Sequence, residues 1–427
     1  MEQQGVAPQE SVSRLAFWWA RSRWFLPALV VTILLRLRFF FVPLHADELG
    51  QFAIARAWRH GADLYRDIWL DRPLGMVMLY RLVGVLGLGN TFGIRLMALV
   101  MCLIGSAACG RVAARLGGSG SAFIASFGVA VLVSLPRLDG YMANGELMSG
   151  AIGALALAML LKGSWQVEHT SYRWVYASGI VAGLALSIKQ SAFDAFGAGL
   201  IVLVCIAVIS TKERQARFRT VLAAVAGIAT TGAVLVIHGL TVGWSYWWNA
   251  MVGFRSSKLG LLSGASSSNL RDSARRAFPA LIVLAIVLVV LGLTALKQRR
   301  FAVVSLCAAW TVLAGVGFAA GGLFWVHYWL LFLFPAGTAL GVLIPDEWSM
   351  RSRLSLVAVA LVLPAVLGVR AGVSPSKELL SSRTTRKFEH VAAWYNAHSS
   401  SVDRVYVQCD GQQIYGLVHS DPPVKYL

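Results

Sequence analysis

The sequence predicts an all-α integral membrane protein, a polytopic bundle of about eleven transmembrane helices. Three observations predict it. Hydrophobic residues make up 57% of the chain and charged residues 14%, where a soluble protein carries roughly a quarter charged; mean hydropathy is +0.66. Apolar runs of about 20 residues, the length that crosses a bilayer, recur from WFLPALVVTILL onward. Lys and Arg gather in short clusters between those runs (RSR, GRVAARLGG, TKERQARFR, KQRR, MRSR), the signature of cytoplasmic loops. The net charge of +18 is therefore an orientation signal and excludes a nucleic-acid role.

Placing the basic clusters on the cytoplasmic side gives a self-consistent path. Residues 1–23 form a cytoplasmic N-terminus, 24–370 a transmembrane domain and 371–427 a small external α/β segment with a strand at DRVYVQC. The first helix, 24–43, is retained and not a cleaved leader, because Arg36 and Arg38 interrupt the apolar run and no small-residue cleavage site follows. Residues 44–94 are an external loop. Further helices fall near 95–113, 120–136, 146–162, 174–189, 192–210, 219–240, 278–296, 301–320, 326–344 and 354–370.

Segment 73–89 is apolar, but it is short for a span and carries Arg81. If it crossed, the later basic clusters would be inverted, so it reads as a helix on the outer surface. Asp47–His60 reads the same way, with Leu49, Phe52, Ala53 and Ala57 at helical spacing. Segments 135–150, 188–193, 244–277 and 321–329 share the external face, with LLSGASSSN as a mobile loop. The active site and C-terminus are thus expected outside. Four of the five cysteines lie inside apolar runs, with neither metal-ligand spacing nor a disulfide framework.

At these external segments the chain resembles GT-C-type glycosyltransferases that use polyprenyl-phosphate sugars, including the protein O-mannosyltransferases and lipid A aminoarabinose transferases. ADELGQF and GADLYRDIWLDRPLG resemble their first external loop, and NGELMSG their acidic second-loop motif. GLALSIKQSAF resembles their Gly-rich helix ending in Lys, and HYWLLFLFP their late His-Tyr helix. The motifs occur in the family's order and cover most of the chain. Two features depart from it: Arg72 precedes a single Pro73 where many relatives have Lys and two prolines, and the tail is short.

The resemblance implies a GT-C fold and assigns Asp47 as general base toward an acceptor hydroxyl. It implies substrate contacts for Glu48, Asp71, Arg72, Glu146, Lys189, Gln190, His327 and Tyr328. Each has a plainer reading. Asp47 and Glu48 suit the first turn of any helix; an exposed Asp71–Arg72 pair is ordinarily surface decoration. Lys189, Arg36 and Arg38 sit where basic side chains snorkel to the interface. His327, Tyr328 and the Trp244, Tyr246, Trp247, Trp248 cluster suit an aromatic belt. Glu146 at a helix mouth is costly without a partner.

The implied reaction moves a monosaccharide from a polyprenyl-phosphate donor to a glycan, lipid or protein acceptor by inverting displacement. Neither a metal nor any other cofactor is expected, and the partners are that donor, the acceptor and membrane lipids. A transporter or lipid flippase, or a non-catalytic relative acting as a scaffold, remains open; a transporter should show internal repeats, and none is visible.

Overall fold

The computed structural model describes residues 23–165, 167–210, 212–254, 263–345, 347–370, 376–400, 403, 405–407 and 412–423. It is helical throughout, and no strand forms among these residues. Helix α1 (Leu26–Leu37) is flanked by 3₁₀ turns, giving an apolar stretch over Arg23–Phe41. The two surface helices of the first loop follow as α2 (Ala46–Arg59) and α3 (Gly75–Val85). The bundle continues with α4 (Thr91–Leu132), α5 (Gly145–Ser164), α6 (Tyr172–Ile188), α7 (Asp194–Ile209) and α8 (Arg214–Val242). It closes with α9 (Ser263–Lys297), α10 (Phe301–Ala320), α11 (Leu330–Leu343) and α12 (Met350–Arg370), before α13 (Ser376–His398) in the tail.

Among the described residues six helices are long and apolar enough to cross a membrane, or seven with the bent α9 counted as one span, against an expected eleven. Part of the difference is α4, a single 42-residue hydrogen-bonded run where two helices were expected. Its backbone leaves helical geometry at Gly117 and Gly118, the latter at φ +79°, which L side chains rarely adopt. The halves fold back on each other there: a Cβ on Gly110 would lie 3.1 Å from Ser126 Cβ, whereas 16 residues of straight helix span about 24 Å. The basic GRVAARLGG cluster is this turn.

Two other expectations are corrected. The Ser-rich segment is helical from Ser263, packed at its end by an Asn269 side-chain bond to the Leu323 carbonyl (3.1 Å), while 255–262 lie outside the described residues. The helix bends by 65° between Phe278 and Leu281, where Pro279 lacks the N–H of a helical hydrogen bond. In the tail, Asp403 and residues 405–407 form no strand; with no neighbouring strand described, an extended segment has no ladder to join. The rest of the DRVYVQC motif, Arg404, Gln408 and Cys409, lies outside the described residues.

The turns that carry these motifs are set by local chemistry. His45 caps α2, with its imidazole 3.4 Å from the Asp47 N–H, and the Glu48 carboxylate accepts from the His45 N–H at 2.9 Å. Asn90 and Asn144 cap α4 and α5 through the Gly93 and Leu147 N–H groups (2.9 and 2.8 Å). Arg36, buried in α1, is not snorkelling: its guanidinium donates to Ser134 Oγ (3.2 Å) and to the Val133 and Gly140 carbonyls, fixing the loop before α5. Arg38 stacks on Phe39.

Gly75 sets α3 close against the last turn of α6. A Cβ on Gly75 would meet Ser187 Oγ at 2.3 Å and the Ser187 carbonyl carbon and oxygen at 2.7 Å. Gly75→Ala should therefore lower stability by about 1–3 kcal/mol, the usual cost of overpacking, read as a lower Tm in detergent. Adding Ser187→Ala should recover only part, because the backbone clash remains; full recovery would show that the side chain alone sets the spacing.

Candidate functional site

The site is built from four turns or loop segments and one helix end. The first turn of α2 supplies Asp47 and Glu48, and the segment before α3 supplies Asp71 and Arg72. The turn into α5 supplies Asp139 and Glu146, the residue after α6 is Lys189, and a 3₁₀ turn (Val326–Trp329) before α11 carries His327 and Tyr328.

Lys189 Nζ is ion-paired with Glu146 Oε1 and lies 3.8 Å from the centre of the Tyr328 ring. His327 sits between two carboxylates, its Nε2 3.8 Å from Glu146 Oε2 and its Nδ1 3.9 Å from Asp139 Oδ2. Arg72 Nε donates to Asp71 Oδ1 at 3.0 Å, and Arg72 Nη1 lies 3.5 Å from Met76 Sδ. Met76 and Lys189 approach Gly145 from two sides, at 3.8 and 3.7 Å from where its Cβ would be. Arg72 and Lys189 are thus linked across one small residue of the second-loop motif.

Asp47 is open to solvent, with 58% of its side chain exposed, and its Oδ2 lies 3.6 Å from His45 Nδ1. Partial burial opposes its ionisation. The hydrogen bond and charge of His45, with the charges of His327 and Arg72, outweigh that and hold the carboxyl at about 2. It is a carboxylate across the physiological range, and it shares the neighbouring His327 with Glu146. His45 is held above its ordinary value by Asp47 in return, against burial that works the other way.

Glu48 is placed differently from the expectation of a substrate contact. It is 1% exposed, and both oxygens are used: Oε1 by Arg95 and by the Ala143 N–H (2.9 Å), Oε2 by the His45 N–H. Arg95 completes the brace with a bond to the Pro43 carbonyl (3.0 Å) and by lying over the Tyr141 ring. A carboxylate in this apolar setting needs such saturation. Gln190 also turns elsewhere, donating to the Met251 carbonyl at 3.2 Å and tying in the segment after α8. The tryptophans of that segment stack on one another, Trp244 on Trp247 and Trp248, half exposed as in an interfacial belt.

Two charged residues of this region escaped the sequence reading. Asp139 occupies a left-handed turn position (φ +53°) that Asp tolerates better than most residues. The Asp-Gly dipeptide marks the turn but says nothing about where the carboxylate points. Arg95 lies near the start of an apolar helix, where a charge implies a partner; that signal was available. Among the described residues no three His, Cys, Asp or Glu side chains are grouped to hold a metal ion.

The brace is testable without any substrate. Arg95→Ala leaves Glu48 buried with its main counter-charge removed, which should cost about 3–5 kcal/mol and lower Tm sharply. Asp47→Ala, at an exposed position, should leave Tm nearly unchanged. Equal Tm losses in the two variants would contradict the division between buried and exposed acid.

No family model and no curated protein matches the sequence. Solved structures do match the fold. ArnT from Cupriavidus metallidurans, solved bound to undecaprenyl phosphate, aligns with 96% of this chain and 86% of its own at 14% identity and TM-score 0.62. Its apo state gives 15% identity and the same TM-score. The oligosaccharyltransferase AglB from Archaeoglobus fulgidus, in complex with an inhibitory peptide and a dolichol-phosphate, aligns with 96% of this chain at 9% identity and TM-score 0.55. This chain spans 64% of the length of AglB. This chain therefore shares the helical membrane fold of these proteins.

Proposed function

We propose that this chain is a membrane glycosyltransferase that moves a monosaccharide from a polyprenyl-phosphate donor to an acceptor hydroxyl on the outer face of the membrane. The observation that carries the reading is one exposed carboxylate, Asp47, set beside a group of cations, Arg72, Lys189 and His327, drawn from three separate elements. The two structural neighbours solved with polyprenyl-type phosphates support the donor class.

The acceptor oxygen attacks the anomeric carbon as the bond from that carbon to the phosphate oxygen breaks. The phosphate leaves with the bonding pair, the acceptor proton passes to Asp47, and attack opposite the leaving group inverts the centre. Negative charge grows on the phosphate, where Arg72, Lys189 and His327 stabilise it. A carboxylate held at about 2 is a weak base. Proton transfer becomes favourable only late, once bond formation has made the attacking oxygen acidic. Incoming phosphate takes Lys189 over from Glu146, so the resting ion pair keeps the cation in place without donor.

The primary test is purified protein with labelled polyprenyl-phosphate sugars, reading sugar transfer and released lipid phosphate. Asp47→Asn should lower turnover by roughly 10²–10⁴ with donor affinity little changed. Near-normal turnover removes Asp47 from the mechanism. Glu48 is not its substitute, since both its oxygens are committed.

Lys189→Ala or Arg72→Ala should weaken donor binding by about 1.5–3 kcal/mol each, the worth of a hydrogen bond to a charged group. Unchanged affinity in both returns them to interfacial snorkelling. For the outer-face assignment, a cysteine at Ser267 in a cysteine-free background should react with an impermeant thiol reagent and one at Gln298 should not. The reverse pattern inverts the threading.

A further inference from the structure

The described end of the chain returns to the helix that carries Asp47. Arg56, on α2, is 10% exposed at its side chain and spends four bonds on the C-terminal segment. Its Nη2 donates to the Tyr415 and Ser420 carbonyls, both at 2.7 Å, its Nη1 to the Val418 carbonyl, and its Nε to Asp421 Oδ1 at 3.2 Å. One turn on, His60 Nδ1 lies 2.8 Å from Asp421 Oδ2. Ala53, between these residues and the start of the helix, is fully buried with Ile414, Tyr415 and Val418.

The contact reaches the first turn of α2. A Cβ on Gly416 would lie 2.7 Å from both the Cβ and the carbonyl oxygen of Leu49, two residues from Asp47. The segment is itself anchored to α13: Asn396 donates to the Leu417 carbonyl (3.1 Å) and accepts from the His419 N–H (2.9 Å), and Tyr395 bonds Ser420 Oγ (3.3 Å). Three carbonyls converging on one guanidinium form a rigid fork, since its donors have fixed directions.

We propose that residues 412–421 are a positioning strap for sugar transfer, and that Arg56 is the residue through which the strap holds α2 and so the direction of Asp47. The proposal rests on the reading of Asp47 as the base. Glu48 and Arg95 fix the start of α2 from the bundle side; the strap fixes the neighbouring face, about 100° round the helix, over the following two to three turns. With the Glu48 brace alone the helix is free to rotate about its own axis, which swings Asp47, and a misplacement of about 1 Å at the base is worth up to 10² in rate.

The test uses the full chain in detergent or nanodiscs. Arg56→Ala and Asp421→Ala should raise amide hydrogen exchange across 46–59 and leave exchange across 145–164 unchanged. Turnover should fall roughly 10–100-fold, with donor affinity within about twofold, because the phosphate cations are untouched. Arg56→Lys keeps the charge and several donors without the planar fork, so it should rescue part of both effects. If Arg56→Ala does not accumulate, Asp421→Ala, at the less buried end of the clamp, carries the same two readouts.

Unchanged exchange in both variants overturns the strap. Raised exchange with normal turnover overturns its positioning role. Asp47→Asn, measured alongside, separates the two failures: lost turnover there with normal turnover in Arg56→Ala keeps the base and rejects the strap.

Discussion

The buried pair of Glu48 and Arg95 is the constraint on which the arrangement of the first and second loops depends. A carboxylate withdrawn from water must have its oxygens satisfied, and here the partners come from three places: α4, the backbone before α5, and the cap of α2. The pair joins the first loop, the bundle and the second loop at one point. It also sets the neighbour. Adjacent residues on a helix point about 100° apart, so turning Glu48 inward leaves Asp47 outward, beside the cations. The two acids of the ADELG motif thus divide the work between a brace and an exposed carboxylate.

Around Asp47 the charges are arranged in answering pairs: Arg72 with Asp71, Lys189 with Glu146, and His327 between Asp139 and Glu146. Such a region is electrostatically balanced, because each cation of these pairs faces an opposing charge. Arg36 performs the supporting task one layer away, holding the loop that contains Asp139 by its backbone carbonyls.

Much of this was legible in the sequence. Composition and the basic clusters give the membrane class, and the motif order gives a fold that the solved structures match. Asp47, Arg72, Glu146, Lys189, His327 and Tyr328 were all picked out from motifs and do converge. Where the placements differ from the motif reading, one cause is shared. Glu48 and Gln190 sit in the same motifs as their neighbours, and a linear pattern cannot say which of two adjacent side chains turns inward. Asp139 and Arg95 look like a turn residue and a helix-mouth charge until their distant partners are known.

The sequence by itself determined the periodic and local features: apolar length, charge bias, the helix caps at His45, Asn90 and Asn144, and the paired glycines that fold α4 back. These follow from hydropathy, dipoles and allowed backbone angles within a few residues of each position. Only the tertiary structure decided what touches what across the chain: Arg95 with Glu48 over 47 residues, Lys189 with Glu146 over 43, and Arg56 with Asp421 over 365. The physical reason is that an ion pair in a buried setting depends on the direction of two side chains and the exclusion of water between them. Both are properties of the packed bundle, and neither is encoded at any single position.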